Sequence, residues 1–193
     1  MKLFVIDFEA TCKQERDEEF LKQQEIIEWG MCILDSTTFQ ETHGIDLFVR
    51  PVFHPTLTQF CKDLTTIQQS QVDAGMLFED AVGIAKLFID PHTDIFGSWG
   101  DFDRNILKKN CILNAIPYPF QDNPHINIKQ FVAKILHRRP CSVGETLKNL
   151  GLKFQGIPHR ALHDAVNVSF ILKHLAQSVN DLGEQLKSWA IVK

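Results

Sequence analysis

No stretch of this chain is apolar for the roughly 20 residues a bilayer span needs, so no membrane contact is expected. The first apolar run is four residues long and passes straight into acids, which excludes a secretory signal there. Cysteine is sparse and shows no pairing pattern. Cys12, Cys32, Cys61, Cys111 and Cys141 are odd in number and scattered, with no C-x-x-C. That argues against a disulfide framework and a thiolate zinc site, and for reduced thiols in the cytoplasm, most of them small core residues. Internal repeats and Pro/Gly/Ser-rich linkers are also missing. A chain of 193 residues, 44% hydrophobic, therefore reads as one domain over 1–193, with a core at about 3–178. Its tail, 179–193, carries Leu182, Leu186 and Trp189 at helical spacing and is expected to pack back on a monomer.

Strong net charge is absent too, but the −4 total hides an asymmetry. Residues 1–100 hold 7 Lys+Arg against 17 Asp+Glu, a balance of −10, and residues 101–193 hold 13 against 7, a balance of +6. A uniformly acidic protein would repel a polyanion. Here Lys108, Lys109, Lys129, Arg138, Arg139, Lys148, Lys153 and Arg160 can meet phosphates, while the modest total excludes a tight, non-specific coating protein.

What is present first is a buried strand. Leu3-Phe4-Val5-Ile6 is a continuous apolar run, as expected of a strand covered on both faces. Side chains alternate along a strand, so Asp7 and Glu9, which follow, point to one face and Phe8 to the other. Two carboxylates where a buried strand ends are costly unless a cation lies between them. A lone D-x-E is as easily a solvated acidic turn; two later segments change the balance. The segment 93–99 reads as a strand and places Asp103, preceded by Phe102, in the first turn of a helix. Pro158-His159-Arg160-Ala161-Leu162-His163-Asp164-Ala165 leads into a helix over 166–175. On one continuous helix His159 and Asp164 would stand about 140° apart. They face one site if His159 lies in the loop after Pro158 and Asp164 lies on the helix.

Between these landmarks, residues 13–24 read as a polar surface loop or short helix. Strands are expected over 26–34, 39–43 and 45–49, as part of an antiparallel meander. Helices follow at 57–61, 78–89 and 102–111, with a short strand at 125–128. Ser142-Val143-Gly144-Glu145 has the form of a capping box, opening a helix that Gly151 closes. A meander followed by β/α alternation predicts an α/β fold: a sheet of mixed direction covered by helices.

The order D-x-E, aromatic-Asp, H-x4-D resembles that of the DEDDh 3′–5′ exonucleases of the DnaQ-like, ribonuclease H-like superfamily. Asp7-Phe8-Glu9-Ala10-Thr11-Cys12 is similar to the opening motif of the Eri (enhanced RNAi) branch. So are Arg50-Pro51, Leu57-Thr58-Gln59-Phe60-Cys61 with Leu64-Thr65-Thr66-Ile67, and His125-Ile126-Asn127-Ile128-Lys129. These stretches lie within residues 3–175. The resemblance implies a ribonuclease H-like mixed sheet, antiparallel meander plus parallel strands flanked by helices. It also implies an exonuclease domain that uses two Mg²⁺ ions, with Mn²⁺ as substitute, about 3.5–4 Å apart. In that reading Asp7 bridges both ions, Glu9 and Asp164 complete one site, and Asp103 holds the second through water. His159 is then the general base, an imidazole that titrates near neutrality.

By the same resemblance Phe60 and Phe102 sandwich the terminal base, Lys129 engages the nucleotide, and Glu9, Ala10 and Thr11 lie near the terminal ribose. Lys129 stands where family members carry arginine, a point charge in place of a planar fork. His163 stands where aspartate is common and is expected beside the site or exposed, not as a metal ligand. The chain opens directly on its first strand, without the extra N-terminal nucleic-acid-binding module of some larger relatives, so substrate choice is expected to come from the catalytic domain or from partners. The implied activity is removal of nucleoside 5′-monophosphates from the 3′ end of single-stranded RNA or RNA 3′ overhangs. The alternatives are a DNA-directed enzyme of the same superfamily and a catalytically inactive RNA-binding module.

Overall fold

The computed structural model describes residues 1–190; the last three residues of the expected tail lie outside them. Three strands come first in the chain: β1 (Lys2–Ala10), β2 (Ile26–Asp35) and β3 (Glu41–Phe48), with the short α1 (Glu18–Lys22) between β1 and β2. Three helices follow, α2 (Gln59–Thr65), α3 (Gln69–Asp73) and α4 (Phe78–Lys86). Then β4 (Ile95–Ser98), α5 (Phe102–Leu113), β5 (His125–Asn127), α6 (Ile128–Ile135) and α7 (Val143–Asn149) alternate, before α8 (Ala161–Ala176) and α9 (Leu182–Trp189). The sheet order is β3-β2-β1-β4-β5. β1 pairs antiparallel with β2, β2 antiparallel with β3, β1 parallel with β4 and β4 parallel with β5. This is the mixed sheet flanked by helices that the sequence predicts.

The alternation along β1 sorts the core into two layers. Leu3 and Val5 face α6, α7, α8 and α9, in a cluster that includes Phe131, Leu147, Ile171, Leu172, Leu182 and Leu186. Phe4, Ile6 and Phe8 face α4 and α5, with Trp29, Phe78, Ile106 and Leu107. Asp7 and Glu9 continue the parity of Leu3 and Val5, so they emerge beneath α8.

Several boundaries differ from expectation. The two strands expected at 39–43 and 45–49 are one strand, β3, which starts only at Glu41 because Phe39 adopts a left-handed φ of 54° and buries its ring in the turn before it. α8 begins at Ala161, five residues before its apolar periodicity becomes clear, because its first turn is fixed by contacts with β2. α3, a single short turn of helix, has no apolar periodicity to announce it.

The crossing of α8 over β2 depends on one missing side chain. A Cβ built on Gly30 would lie 2.1 Å from the Ala161 carbonyl carbon and 2.2 Å from the Leu162 nitrogen. Only glycine admits the helix backbone this close to the strand. Gly30 pairs directly with Asp7, so the approach also sets the height of α8 over that carboxylate. Gly30→Ala is expected to destabilise the fold by at least the roughly 1–3 kcal/mol typical of overpacking, since the clash is with backbone. It is also expected to lower activity. Urea unfolding beside a nuclease assay checks both; a variant with unchanged midpoint and turnover would show that α8 adjusts freely.

Candidate active site

β1 runs past the end of its parallel neighbour. Its register with β4 ends at Val5↔Gly97, and the chain leaves the sheet after Ser98. The backbone edge of β1 beyond that point needs another partner. Asp103, in the first turn of α5, supplies it: Phe8 N–H donates to Asp103 Oδ1 at 3.1 Å. Placement at the carboxyl ends of parallel strands, where the chain turns away from the sheet, is where open α/β sheets bind ligands.

On the other side of β1, α8 brings in Asp164. Its Oδ2 accepts the Arg160 N–H at 3.2 Å, which fixes the carboxylate against the start of the helix. His159 lies in the loop before α8 and Asp164 on the helix, the arrangement that lets both face one site. Among the described residues Asp7, Glu9 and Asp164 each offer a carboxylate oxygen within 4.8 Å of the others. Asp103 stands outside that trio but lines the same cleft.

The cleft has a volume of about 620 Å³. Asp7, Glu9, Asp103, His159 and Asp164 are on its wall, as are Phe102 and Lys129. Phe102 is 54% exposed, an aromatic ring presented to solvent beside the buried Asp103. Lys129 sits in the first turn of α6 rather than at a strand end. Phe8 and Pro158 also line it, as do Trp99, Phe154 and the 142–144 segment, which were not anticipated there. Trp99 is oriented by a hydrogen bond from its Nε1–H to the Cys141 carbonyl at 2.9 Å.

Three expected substrate residues do not line this cleft. Thr11 is 2% exposed, and both its polar groups are engaged with Glu25: its N–H donates to the Glu25 carbonyl and its Oγ1 accepts the Glu25 N–H. Ala10 is buried beside it. Phe60, on α2, is 39% exposed and is neither core nor cleft wall. Two cations expected to meet phosphates are also committed elsewhere. Lys109 Nζ donates to the Leu21 carbonyl, and the Arg160 guanidinium is paired with Glu28. His163 is half-buried, and its Nδ1 accepts the Ile157 N–H at 3.0 Å.

The electrostatics follow from crowding. Burial, then the charges of Asp103, Asp164, Glu9 and Glu28, hold the Asp7 carboxyl well above the usual range. Burial and the neighbouring acids push Glu9 up to about 8. Burial raises Asp103 to about 7 against the opposing Phe8 hydrogen bond, and also raises Asp164. Such a cluster holds protons near neutrality unless cations replace them. The donor set is all carboxylate oxygen, the hard ligands suited to Mg²⁺ or Mn²⁺, so these residues fit divalent ions.

Glu28 is the residue that sequence reasoning overlooked. It pairs across the strands with Glu9 and is fully buried. An acid inside the apolar run of β2 was the available signal, since a buried carboxylate requires a partner.

Comparison with known proteins agrees with this geometry. The family model described as Exonuclease (RNase T) matches residues 4–172. A probable 3′-5′ exonuclease, KapD, of Bacillus subtilis is 31% identical over 91% of this chain and 84% of its own length. Human ERI1 exoribonuclease 3 is 32% identical over 89% of this chain, which spans only 52% of that protein. Among solved structures, the nuclease domain of 3′hExo, a DEDDh family member bound to rAMP, superposes with a TM-score of 0.83. It is 28% identical, covering 91% of this chain and 92% of that one. The chain belongs to the exonuclease family, as a divalent-metal-dependent DEDDh 3′–5′ exonuclease of the Eri branch.

Proposed function

We propose that this protein removes nucleoside 5′-monophosphates from the 3′ end of single-stranded RNA or RNA 3′ overhangs, acting as a cytoplasmic monomer. The observation that carries the proposal is the meeting of four carboxylates, an exposed imidazole and an exposed phenyl ring on one cleft. RNA is favoured over DNA because the human ERI1 exoribonucleases 2 and 3 carry that activity in their names and one structural neighbour is bound to rAMP.

In this reading Asp7, Glu9, Asp103 and Asp164 would hold two Mg²⁺ ions, Mn²⁺ being the substitute. When bound, such ions neutralise phosphate charge and make water a better nucleophile. The protein's own groups do the rest. His159 takes the proton of the attacking water through a ring nitrogen, and its exposed position lets solvent carry that proton away. Phe102 stacks on a base, an interaction worth about 1–3 kcal/mol that tolerates any base. Lys129 meets a phosphate as a point charge. Phe60 stands on the helix whose Cys61 Sγ lies 3.8 Å from the Ala10 carbonyl, and is proposed to offer a second stacking face beyond the end of β1. Glu9 combines metal binding with a place beside the terminal sugar.

Incubation with Mg²⁺ or Mn²⁺ and 5′-labelled oligomers tests the reading. RNA should shorten from its 3′ end, single-stranded and 3′-overhang substrates faster than blunt duplex, and chelation by EDTA should stop it. Faster cleavage of DNA than of matched RNA would move the enzyme to the DNA-directed class, and binding without cleavage would leave an RNA-binding module. His159→Ala should lower kcat by the roughly 10²–10⁴-fold typical of a lost general base, with RNA affinity retained. Full turnover in that variant would remove the imidazole from the chemistry.

The clustered acids give a second test. Glu9 and Asp103 titrate at about 8 and about 7 when folded, above their ordinary carboxylate values of 4.5 and 3.8. Their stabilising contribution is therefore full below those ordinary values and is lost as pH rises through 7 to 8. The metal-free protein should melt at a lower temperature at pH 8 than at pH 6. Mn²⁺ should raise Tm more at pH 8, where it need not displace protons. A metal-induced shift equal at both pH values would show that the ion binds away from these acids.

A further inference from the structure

The loop that carries His159 is tied down on both sides of it, and the His159 N–H itself donates to the Asp164 carboxylate, which leaves the imidazole exposed. On the upstream side, buried Asn167 takes hold of Gln155 twice: its Oδ1 accepts the Gln155 N–H at 2.9 Å and its Nδ2 donates to the Gln155 carbonyl at 2.8 Å. His163 Nδ1 accepts the Ile157 N–H. Gly156, at φ 85°, lies so close that a Cβ there would sit 2.8 Å from the His163 ring.

On the downstream side the hold is ionic. Arg160 Nε and Nη2 both donate to Glu28 Oε1, at 2.8 and 2.6 Å, and the next N–H, that of Ala161, donates to Glu28 Oε2 at 2.8 Å. Nη2 is also 3.9 Å from Asp46, and the guanidinium lies 5.4 Å over the Phe48 ring. His159, one peptide away, has a φ of 59°, a left-handed conformation that a side-chain-bearing residue keeps only when its neighbours impose it.

We infer that Arg160 and Glu28 are positioning residues: by fixing the start of α8 on β2, their buried ion pair holds His159 in its left-handed conformation with the imidazole at the cleft. This rests on the assignment of His159 as general base.

Two other uses of Arg160 fit the structure less well. As a phosphate contact it would need free donors facing the cleft, yet two are spent on Glu28 and the side chain is only 17% exposed. As a purely stabilising pair it would be a poor device, because buried ion pairs are often replaced by apolar residues without loss of stability. What the pair supplies is direction. The planar fork of arginine, with a carboxylate that also grips the following backbone N–H, fixes one orientation of the peptide beside His159.

A double-mutant cycle tests this. Arg160→Gln is made with His159 intact and again in the His159→Ala background, and kcat and KM on labelled RNA are measured beside Mn²⁺ affinity. With His159 present, kcat should fall by about 10- to 100-fold while KM and Mn²⁺ affinity stay within about threefold. In the Ala background the same substitution should change the residual rate by less than about threefold, since groups acting as one unit are not additive.

Losing Arg160 leaves Glu28 buried and unpaired, so Glu28→Gln/Arg160→Gln, which removes both charges, is carried through the same cycle in case the single variant does not fold. Added guanidinium ion at low millimolar concentration should partly restore Arg160→Ala. Equal losses in the two backgrounds, a loss appearing in Mn²⁺ affinity, or full kcat in either variant would overturn the positioning role. Full kcat in His159→Ala alone would instead overturn the base assignment on which it rests.

Discussion

Carboxylates drawn out of water and set within a few ångströms of one another repel, and the fold imposes this on Asp7, Glu9 and Asp164. Nothing in local structure makes such a cluster favourable. It exists because β1 outruns β4, leaving a strand tip with one face under α8 and one edge against α5. Protons or divalent ions relieve the crowding, because the neighbouring guanidinium is taken up elsewhere. Arg160 is that cation. By pairing with Glu28 it keeps a fifth acid from adding its full charge to the site, and keeps itself out of it.

The same geometry explains why a glycine and an arginine matter as much as the acids. Gly30 lets the backbone of α8 settle against β2, and Glu28, two residues away on the same face, grips the first N–H of that helix. Asp7 and Glu9 are the cross-strand partners of these two residues. Two rungs on one face of the ladder thus carry both carboxylates and their supports, Gly30 admitting the helix that brings Asp164 and Glu28 anchoring the arginine beside His159. Around that frame the cleft presents an exposed ring at Phe102, a charge on the first turn of α6 and an exposed imidazole on the loop before α8.

How much of this could be read in advance depended on whether the signal was local. The β1 acids, the Asp103 helix start and the His159–Asp164 pair each sit in a pattern of a few residues. Their order matched a known family, and the mixed sheet followed. Phe39 was lost from the start of β3 because burying its ring in a left-handed turn outweighed a β-like pattern. Thr11 is buried with its hydroxyl and N–H bonded to Glu25, fourteen residues on, a contact that spacing does not reveal. Arg160 read as a free cation because its partner lies 132 positions away.

The sequence by itself determined which residues are acids, which strand faces they share, and that they recur in the order of an exonuclease site. Those properties follow from side-chain chemistry and the two-residue period of a strand, both local. Which carboxylates meet, which cation is spent on holding the frame and which rings reach solvent were decided only by tertiary structure. The reason is that these outcomes turn on contacts between segments far apart in the chain, where a single absent Cβ at Gly30 sets the distance.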